Sequence, residues 1–329
     1  MAGLLIGSEF SRRYAERLAA LTRETSAAIE PIALSADPAA RLAPGDIERI
    51  ELAYFSGDVH PNYSPAFFSA AFSAQKLRWM HCFNAGTDHP VFARLLERGV
   101  RLTNSPGASA VPIAHSAIAG LLALARQLPR FGAAQRESRW LEAGAVAPPP
   151  DLAEQTLVVV GLGGIGGEIA RLGRALGLRV VGVRRSAPDP DAPVDELIAP
   201  ARLHEVLPRA HWLALACPLS EQTRGWIDAA ALALLPDGAH VINVARGEIV
   251  DQAALVAELS SGRLAGAYLD VFEIEPLPAG SPLWSLPNVI VTPHAAALSA
   301  GNQVRQAELF LANLKRWASG EPLANVVGG

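Results

Sequence analysis

Cysteine is nearly absent: Cys82 and Cys217 are the only two in 329 residues. That number excludes a disulfide framework and a four-cysteine zinc site, and it fits a reducing cytoplasm. No metal site is expected. Charge is sparse too, at 18% of residues, and the formal net charge of −4 supplies no general basic field. A nucleic acid or an anionic membrane surface would need a local basic patch, and none is legible. The N-terminal "MAGLLIGSEF" lacks the basic flank and apolar length of a signal peptide and reads as a buried first strand. The most apolar helical stretch, "IAHSAIAGLLALAR", carries His115 and Arg126 and falls short of the roughly 20 apolar residues of a membrane span. Internal repeats are missing, as is low complexity beyond one proline run.

What the chain does have is apolar bulk, with half of its residues hydrophobic and length enough for about two domains. Up to residue 102, short β-like runs ("GLLIG", "IELAYFSG", "LRWMHCF", "VRLTNSPG") alternate with helical stretches, which predicts an α/β outer domain. "TNSPG" punctuates, and Ala108 to Phe131 reads as one long buried helix, followed by the connector "AGAVAPPPD". From Gln155 the alternation restarts and runs to "NVIVTPH", predicting a doubly wound parallel sheet. The last amphipathic stretch, "AGNQVRQAELFLANLKRWASG", is too short for a domain and is expected to fold back on the outer one. The expected division is 1–102 plus 293–329 for the outer domain and 103–292 for the inserted one. Crossings near 102 and 293 suggest a hinge that closes on a ligand.

Between a β-run and a helical pattern lies "VVVGLGGIGGEIARLG", with Gly161, Gly163 and Gly166 in G-x-G-x-x-G spacing. The first glycine permits a tight turn, the second lets a pyrophosphate approach the backbone, and the third lets helix and strand pack closely. Leu162, Gly164 and Ile165 complete this candidate cofactor loop; its plainer reading is a packing turn. A site selective for NAD would place Asp or Glu about 20 residues on, at the end of the second strand. Here that strand ends "VGVRRS". Arg184 and Arg185 cannot accept from a ribose hydroxyl but offer forked donors to a 2′-phosphate, with Ser186 beside them. NADP(H) is therefore the preferred cofactor, with NAD(H) possible because a later loop could still supply a carboxylate.

Three further pieces, "NVARGEIVD", "YLDVFEIEPLP" and "NVIVTPHAAAL", each follow a β-run and so fall at strand carboxyl ends, where open α/β sheets bind ligands. They make Arg246, Glu275 and His294 candidates to converge. Arg246 can grip a carboxylate and polarise a carbonyl, His294 can donate a proton, and Glu275 can orient the imidazole and favour its protonated form. Taken singly, each has a plainer reading as a surface ion pair, a loop carboxylate and a hydrogen-bonded core histidine.

The glycine loop, "NVARGEIVD", "DVFEIEPLP" and "PLWSLPNVIVTPH", in this order, resemble the D-isomer-specific 2-hydroxyacid dehydrogenase family, which includes glyoxylate/hydroxypyruvate reductases. The resemblance covers nearly the whole chain. It implies a Rossmann domain inserted into a flavodoxin-like substrate-binding domain, with Arg246, Glu275 and His294 catalytic. It also implies that "FNAGTDH" receives the substrate carboxylate on backbone amides at Ala85 and Gly86, Asp88 and His89 being structural. Cys217, Pro218 and Thr223 match the family's loop along the cofactor, Val244 and Ala245 its neighbouring strand end, and Asp270 an acid near the nicotinamide, whose plainer reading is a strand-end bond to a loop. The sequence departs from the family at Ala114, His115 and Ser116, where many members carry "AEH". Trp140 and Trp284 match aromatics near the cleft mouth or partner subunit. The implied activity is NADPH-preferring reduction of small 2-keto acids to D-2-hydroxy acids in a cytoplasmic homodimer. Alternatives are a cofactor-sensing, partner-recruiting protein of corepressor type, or a phosphite- or formate-type dehydrogenase; the latter branch carries glutamine in place of Glu275 in formate dehydrogenases.

Overall fold

The structure is a computed structural model that describes the whole chain except residues 26, 38–40, 143, 145–146, 186–191 and 328–329. It divides into two compact units, Met1–Ala108 with Ser299–Gly329, and Ser109–Leu298. The sequence reading set these crossings at 102 and 293.

The first unit is a five-stranded parallel sheet in the order β2-β1-β3-β4-β5, with β1 (Ala2–Gly7), β2 (Ile29–Leu34), β3 (Ile50–Phe55), β4 (Trp79–Cys82) and β5 (Arg101–Thr103). Five helices alternate with the strands: α1 (Ser8–Arg13), α2 (Ala15–Thr25), α3 (Pro44–Arg49), α4 (Ser64–Ser73) and α5 (Pro90–Glu97). This is the flavodoxin-like order. Strands β1 and β3 are buried along almost their whole length, which is why they read as apolar runs rather than alternating ones. One face is covered by the last helix of the chain. Its Phe310 stacks on Tyr54 of β3 at a ring separation of 4.1 Å and meets Phe10 edge-on at 5.6 Å. His81 of β4 is fully buried between the Thr103 and Ser105 hydroxyls, at 2.7 and 3.0 Å, and burial pulls its pKa down to about 3. It is a neutral structural residue.

The second unit opens with α6 (Ala110–Ala125) and α7 (Leu128–Arg136). The expected single helix to Phe131 is thus corrected to two, bent by 71°. Gln127 between them adopts φ 54°, and Pro129, which has no N–H to offer and crowds the preceding turn, sits in the first turn of α7. Among the described residues no single helix is long and apolar enough to cross a membrane. Alternation then gives β6 (Thr156–Val160), α8 (Gly164–Ala175), β7 (Arg179–Val183), β8 (Glu196–Ile198), α9 (Leu203–Val206), β9 (Trp212–Leu215) and α10 (Ala229–Leu234). It ends with β10 (His240–Asn243), α11 (Gln252–Ser261), β11 (Gly266–Leu269) and β12 (Val289–Val291). The chain then returns to the first unit as α12 (Asn302–Ala318), the helix that carries Phe310.

The seven strands are all parallel, in the order β12-β11-β10-β9-β6-β7-β8. This is the doubly wound Rossmann order, in which the order of strands along the sheet reverses between β6 and β9. The register pairs Val160 with both Val183 and Leu215. The segments that follow these three strands therefore emerge side by side at the switch point. Strand β8 has no counterpart in the sequence reading: it has three residues, two of them half-buried, too few for a period-two pattern.

Candidate active site

At the switch point the chain makes its tightest backbone approaches. Gly161 turns at φ 92°, its amide donating to the Val183 carbonyl at 2.8 Å. A Cβ there would stand 2.7 Å from the Cys217 backbone. A Cβ on Gly166 would lie 1.7 Å from the Gly161 carbonyl oxygen, so only glycine lets α8 begin this close to β6. Gly163, by contrast, precedes the first turn of α8 and faces open space. The result is an open, amide-rich helix start backed by a closed glycine turn, the arrangement that receives a pyrophosphate. Leu162 packs on Gly182 of β7, where a Cβ would meet it at 2.4 Å, and Ile165 packs into the core behind the loop. The residues present fit a dinucleotide.

Arg184 and Arg185 follow β7 directly, half-buried and exposed respectively, and the Arg184 amide donates to the Ile198 carbonyl at 3.2 Å. Ser186 lies outside the described residues. Burial pushes the Cys217 thiol up to about 11, and Arg185 is close enough for its charge to oppose that shift. Cys217 is thus a neutral, buried thiol at neutral pH. The loop after it is closed by Thr223, whose hydroxyl takes the Ser220 amide and donates to the Pro218 carbonyl, both at 2.8 Å. Pro218 is exposed beside it, while Val244 and Ala245 are buried at the end of β10.

The candidate catalytic side chains come from three neighbouring strand ends. His294 Nδ1 lies 2.7 Å from Glu275 Oε2, and Glu275 Oε1 takes the Phe272 amide at 3.0 Å. Burial alone would raise the Glu275 carboxyl. The hydrogen bonds from His294 and the Phe272 amide, with the charges of His294 and Arg246, outweigh it and hold Glu275 below the ordinary carboxylate range. The bond to Glu275 raises His294 above the ordinary imidazole value against burial and against the charge of Arg246. Arg246 is thus electrically coupled to both partners. Its Nη1 donates to the Ala245 carbonyl at 2.7 Å.

Several residues that build this geometry have no reading in the sequence. Gly247 is nearly as tight as Gly166: a Cβ there would fall 1.9 Å from the Phe272 carbonyl carbon. The loop of Arg246 therefore rests directly on the peptide leading to Glu275. Asn243, 2% exposed, clamps that loop by accepting from the Ala245 amide and donating to the Arg246 carbonyl, both at 3.0 Å. Gln252 and Glu273 exchange side-chain and backbone bonds at 3.0 and 3.2 Å and fix the other flank. Asp270, the expected cofactor-side acid, is 3% exposed, and its Oδ1 accepts from Thr292 Oγ1, the Ala295 amide and the Ala296 amide at 2.6, 2.8 and 3.0 Å. It ties down the turn that carries His294. Trp284 is half exposed, its indole N–H donating to the Pro278 carbonyl at 3.0 Å, and Trp140 is exposed.

In the first unit, Ala85 and Gly86 lie in the loop that follows β4. The Ala85 carbonyl accepts from the Asn104 amide group, and the Gly86 carbonyl from Asn84 Nδ2 at 2.6 Å. Because a trans peptide sets N–H opposite C=O, the amides of Gly86 and Thr87 point to the other side. His89 caps α5, its Nδ1 accepting from the Val91 amide at 3.2 Å.

The family model for the D-isomer specific 2-hydroxyacid dehydrogenase NAD binding domain matches residues 118–296. The chain belongs to this family. A glyoxylate reductase of Korarchaeum cryptofilum is 34% identical over 264 residues, 78% of this chain and 77% of that protein. A D-isomer specific 2-hydroxyacid dehydrogenase of Xanthobacter autotrophicus, solved in complex with NADPH and MES, is 32% identical, with a TM-score of 0.76 over 99% of this chain and 97% of that one. An NADPH-dependent glyoxylate/hydroxypyruvate reductase of Sinorhizobium meliloti, solved with NADP and sulfate, is 28% identical, with a TM-score of 0.76 over 100% and 98% of the two chains. As a D-2-hydroxyacid dehydrogenase, the protein is an NAD(P)-dependent oxidoreductase of 2-keto and 2-hydroxy acids.

The pKa directions within this dehydrogenase site have a measurable consequence. A raised His294 and a lowered Glu275 make their ion pair strongest between the two values. Its contribution is lost as pH falls through the Glu275 value and as pH rises through the His294 value. In an NMR titration, His294 should show a midpoint above about 6.5, the free imidazole value. Glu275→Gln should move that midpoint down; an unmoved midpoint would contradict the coupling.

Proposed function

We propose that the protein is an NADPH-preferring reductase of small 2-keto acids of the glyoxylate and hydroxypyruvate type, with His294 as proton donor. The observation that carries this reading is the 2.7 Å contact of His294 Nδ1 with Glu275, on an imidazole whose protonated form is favoured. A bound nicotinamide cofactor supplies the hydride; the remaining work falls to the chain. The α8 start at Gly163 to Gly166 holds the pyrophosphate, flanked by Leu162, Cys217, Pro218, Thr223, Val244 and Ala245. Arg184 and Arg185 hold the 2′-phosphate with forked donors. In the second unit the Arg246 guanidinium grips the substrate carboxylate and carbonyl in one plane, and in the first unit the loop containing Ala85 and Gly86 offers backbone amides to a carboxylate. With Nδ1 engaged by Glu275, Nε2 of His294 is the nitrogen that delivers the proton to the carbonyl oxygen, leaving a neutral imidazole to be recharged from solvent.

A twofold homodimer is part of this reading. Leu128, Phe131 and Trp140 are large apolar side chains exposed on α7 and the segment after it, and a partner copy would cover them. Light scattering should return twice the chain mass of 34.6 kDa, and a monomer would exclude that surface as a stable interface. The cytoplasm is the proposed compartment, because Cys82 and Cys217 are both free and buried.

Initial rates over glyoxylate, hydroxypyruvate, pyruvate, phenylpyruvate and 2-ketoisocaproate, each with NADPH and NADH, test the function. Turnover of the smallest acids with NADPH is expected, and cofactor binding without turnover on any of them would refute it. His294→Ala should lower kcat by about 10²–10⁴, the usual range for a general acid, with NADPH affinity retained. Arg184→Ser with Arg185→Ser should weaken NADPH by about 10–100-fold, as for lost hydrogen bonds to a charged group, and leave NADH little changed. Equal losses for both cofactors would remove the phosphate clamp.

A further inference from the structure

Behind His294 lies a chain of hydroxyl groups that none of the reading above uses. His294 is held at φ 51°, in the left-handed region that a side-chain-bearing residue rarely adopts. Its amide donates to the carbonyls of Asp270 and Thr292, at 2.8 and 3.0 Å, and the turn closes on Asp270 Oδ1. Thr292 Oγ1 is 2.6 Å from that oxygen and 3.0 Å from the Tyr268 phenol oxygen. A hydroxyl has one proton. Thr292 is the donor to both, so its single proton is shared between the carboxylate and the phenol oxygen, and the two acceptors together fix where the hydroxyl points.

Tyr268 can occupy this place only because α6 carries glycine opposite it. A Cβ on Gly120 would lie 2.4 Å from Tyr268 Cγ. The tyrosine is 3% exposed, and burial holds its phenol protonated and neutral. Ser116, one turn before Gly120 on α6, donates to the Ala296 carbonyl at 3.1 Å. Thr292, held by Tyr268 and Asp270, and Ala296, held by Ser116, thus anchor the two ends of the 292–296 turn.

We propose that Tyr268, acting through Thr292 and Asp270, is a positioning residue that holds His294 in the one backbone conformation from which Nδ1 meets Glu275. The inference rests on the reading of His294 as proton donor. Without the phenol oxygen, Thr292 loses one of the two acceptors that fix its hydroxyl, and that end of the turn is held by the Asp270 contact alone, which loosens it. A displacement well under 1 Å at the imidazole then acts on the chemical step and not on cofactor binding.

Steady-state reduction kinetics on the full chain, with the melting temperature of each variant, test this. Tyr268→Phe keeps the ring that Gly120 accommodates and removes one oxygen. The expected result is a kcat about tenfold lower with KM for the cofactor unchanged. Thr292→Val should lose at least as much, and Thr292→Ser should restore the rate. In a His294→Ala background Tyr268→Phe should be silent, because it acts through the imidazole. Wild-type kcat in Tyr268→Phe overturns the inference, as does the same fold loss with and without the imidazole. If His294→Ala itself leaves kcat unchanged, the proton-donor reading falls and this one with it, which separates that failure from a failure of the tyrosine alone.

Discussion

The turn that carries His294 depends on one buried carboxylate. Asp270 is 3% exposed, and an ion so placed costs several kcal/mol unless donors surround it. The donors available are the amides of Ala295 and Ala296 and the hydroxyl of Thr292. Satisfying the charge therefore folds the 292–296 segment around it and forces His294 into a left-handed conformation that it would otherwise avoid at a cost of about 1–3 kcal/mol. The strain sits on the proposed proton donor. The imidazole is aimed at Glu275 by the solvation needs of another carboxylate.

Glycine is the second constraint, and it works by allowing peptides to touch. At Gly166 a helix begins against a strand-end carbonyl, and at Gly247 the loop of Arg246 lies on the peptide that leads to Glu275. At Gly166 the missing Cβ closes a strand onto its own helix; at Gly247 it brings together loops from two different strands. The first makes an amide-rich cradle, the second an electrostatic triad in which Arg246 moderates how far Glu275 raises His294. Gly120 does the same one layer further back, admitting a tyrosine ring beneath the histidine turn.

Much of this was legible before any coordinates. The apolar runs around the glycine loop predicted β6, α8 and β7, and Arg246, Glu275 and His294 were singled out because each stands just past such a run. The long helix was misjudged at Gln127, since its apolar pattern continues smoothly while Pro129 breaks the hydrogen-bond ladder. Strand β8 escaped because three residues carry no period. Asn243, Gly247, Tyr268 and Thr292 gave no signal at all: an asparagine, a glycine, a tyrosine and a threonine at strand ends are ordinary residues until their partners, distant in sequence, are known.

Local pattern alone determined the alternation of strands and helices, the parallel sheets that such alternation requires, and the chemical types gathered at strand carboxyl ends. Those follow from periodicity and from the right-handed crossover, which act over a few residues to a few tens. Tertiary structure alone decided which nitrogen of His294 meets Glu275, that Asp270 faces the histidine turn, and that Tyr268 reaches beneath it. These rest on contacts of 2.6 to 3.0 Å between residues 19 to 26 positions apart, within a range where a hydrogen bond is made or lost over a few tenths of an ångström. No sequence spacing fixes a distance that finely; close packing of the sheet ends does.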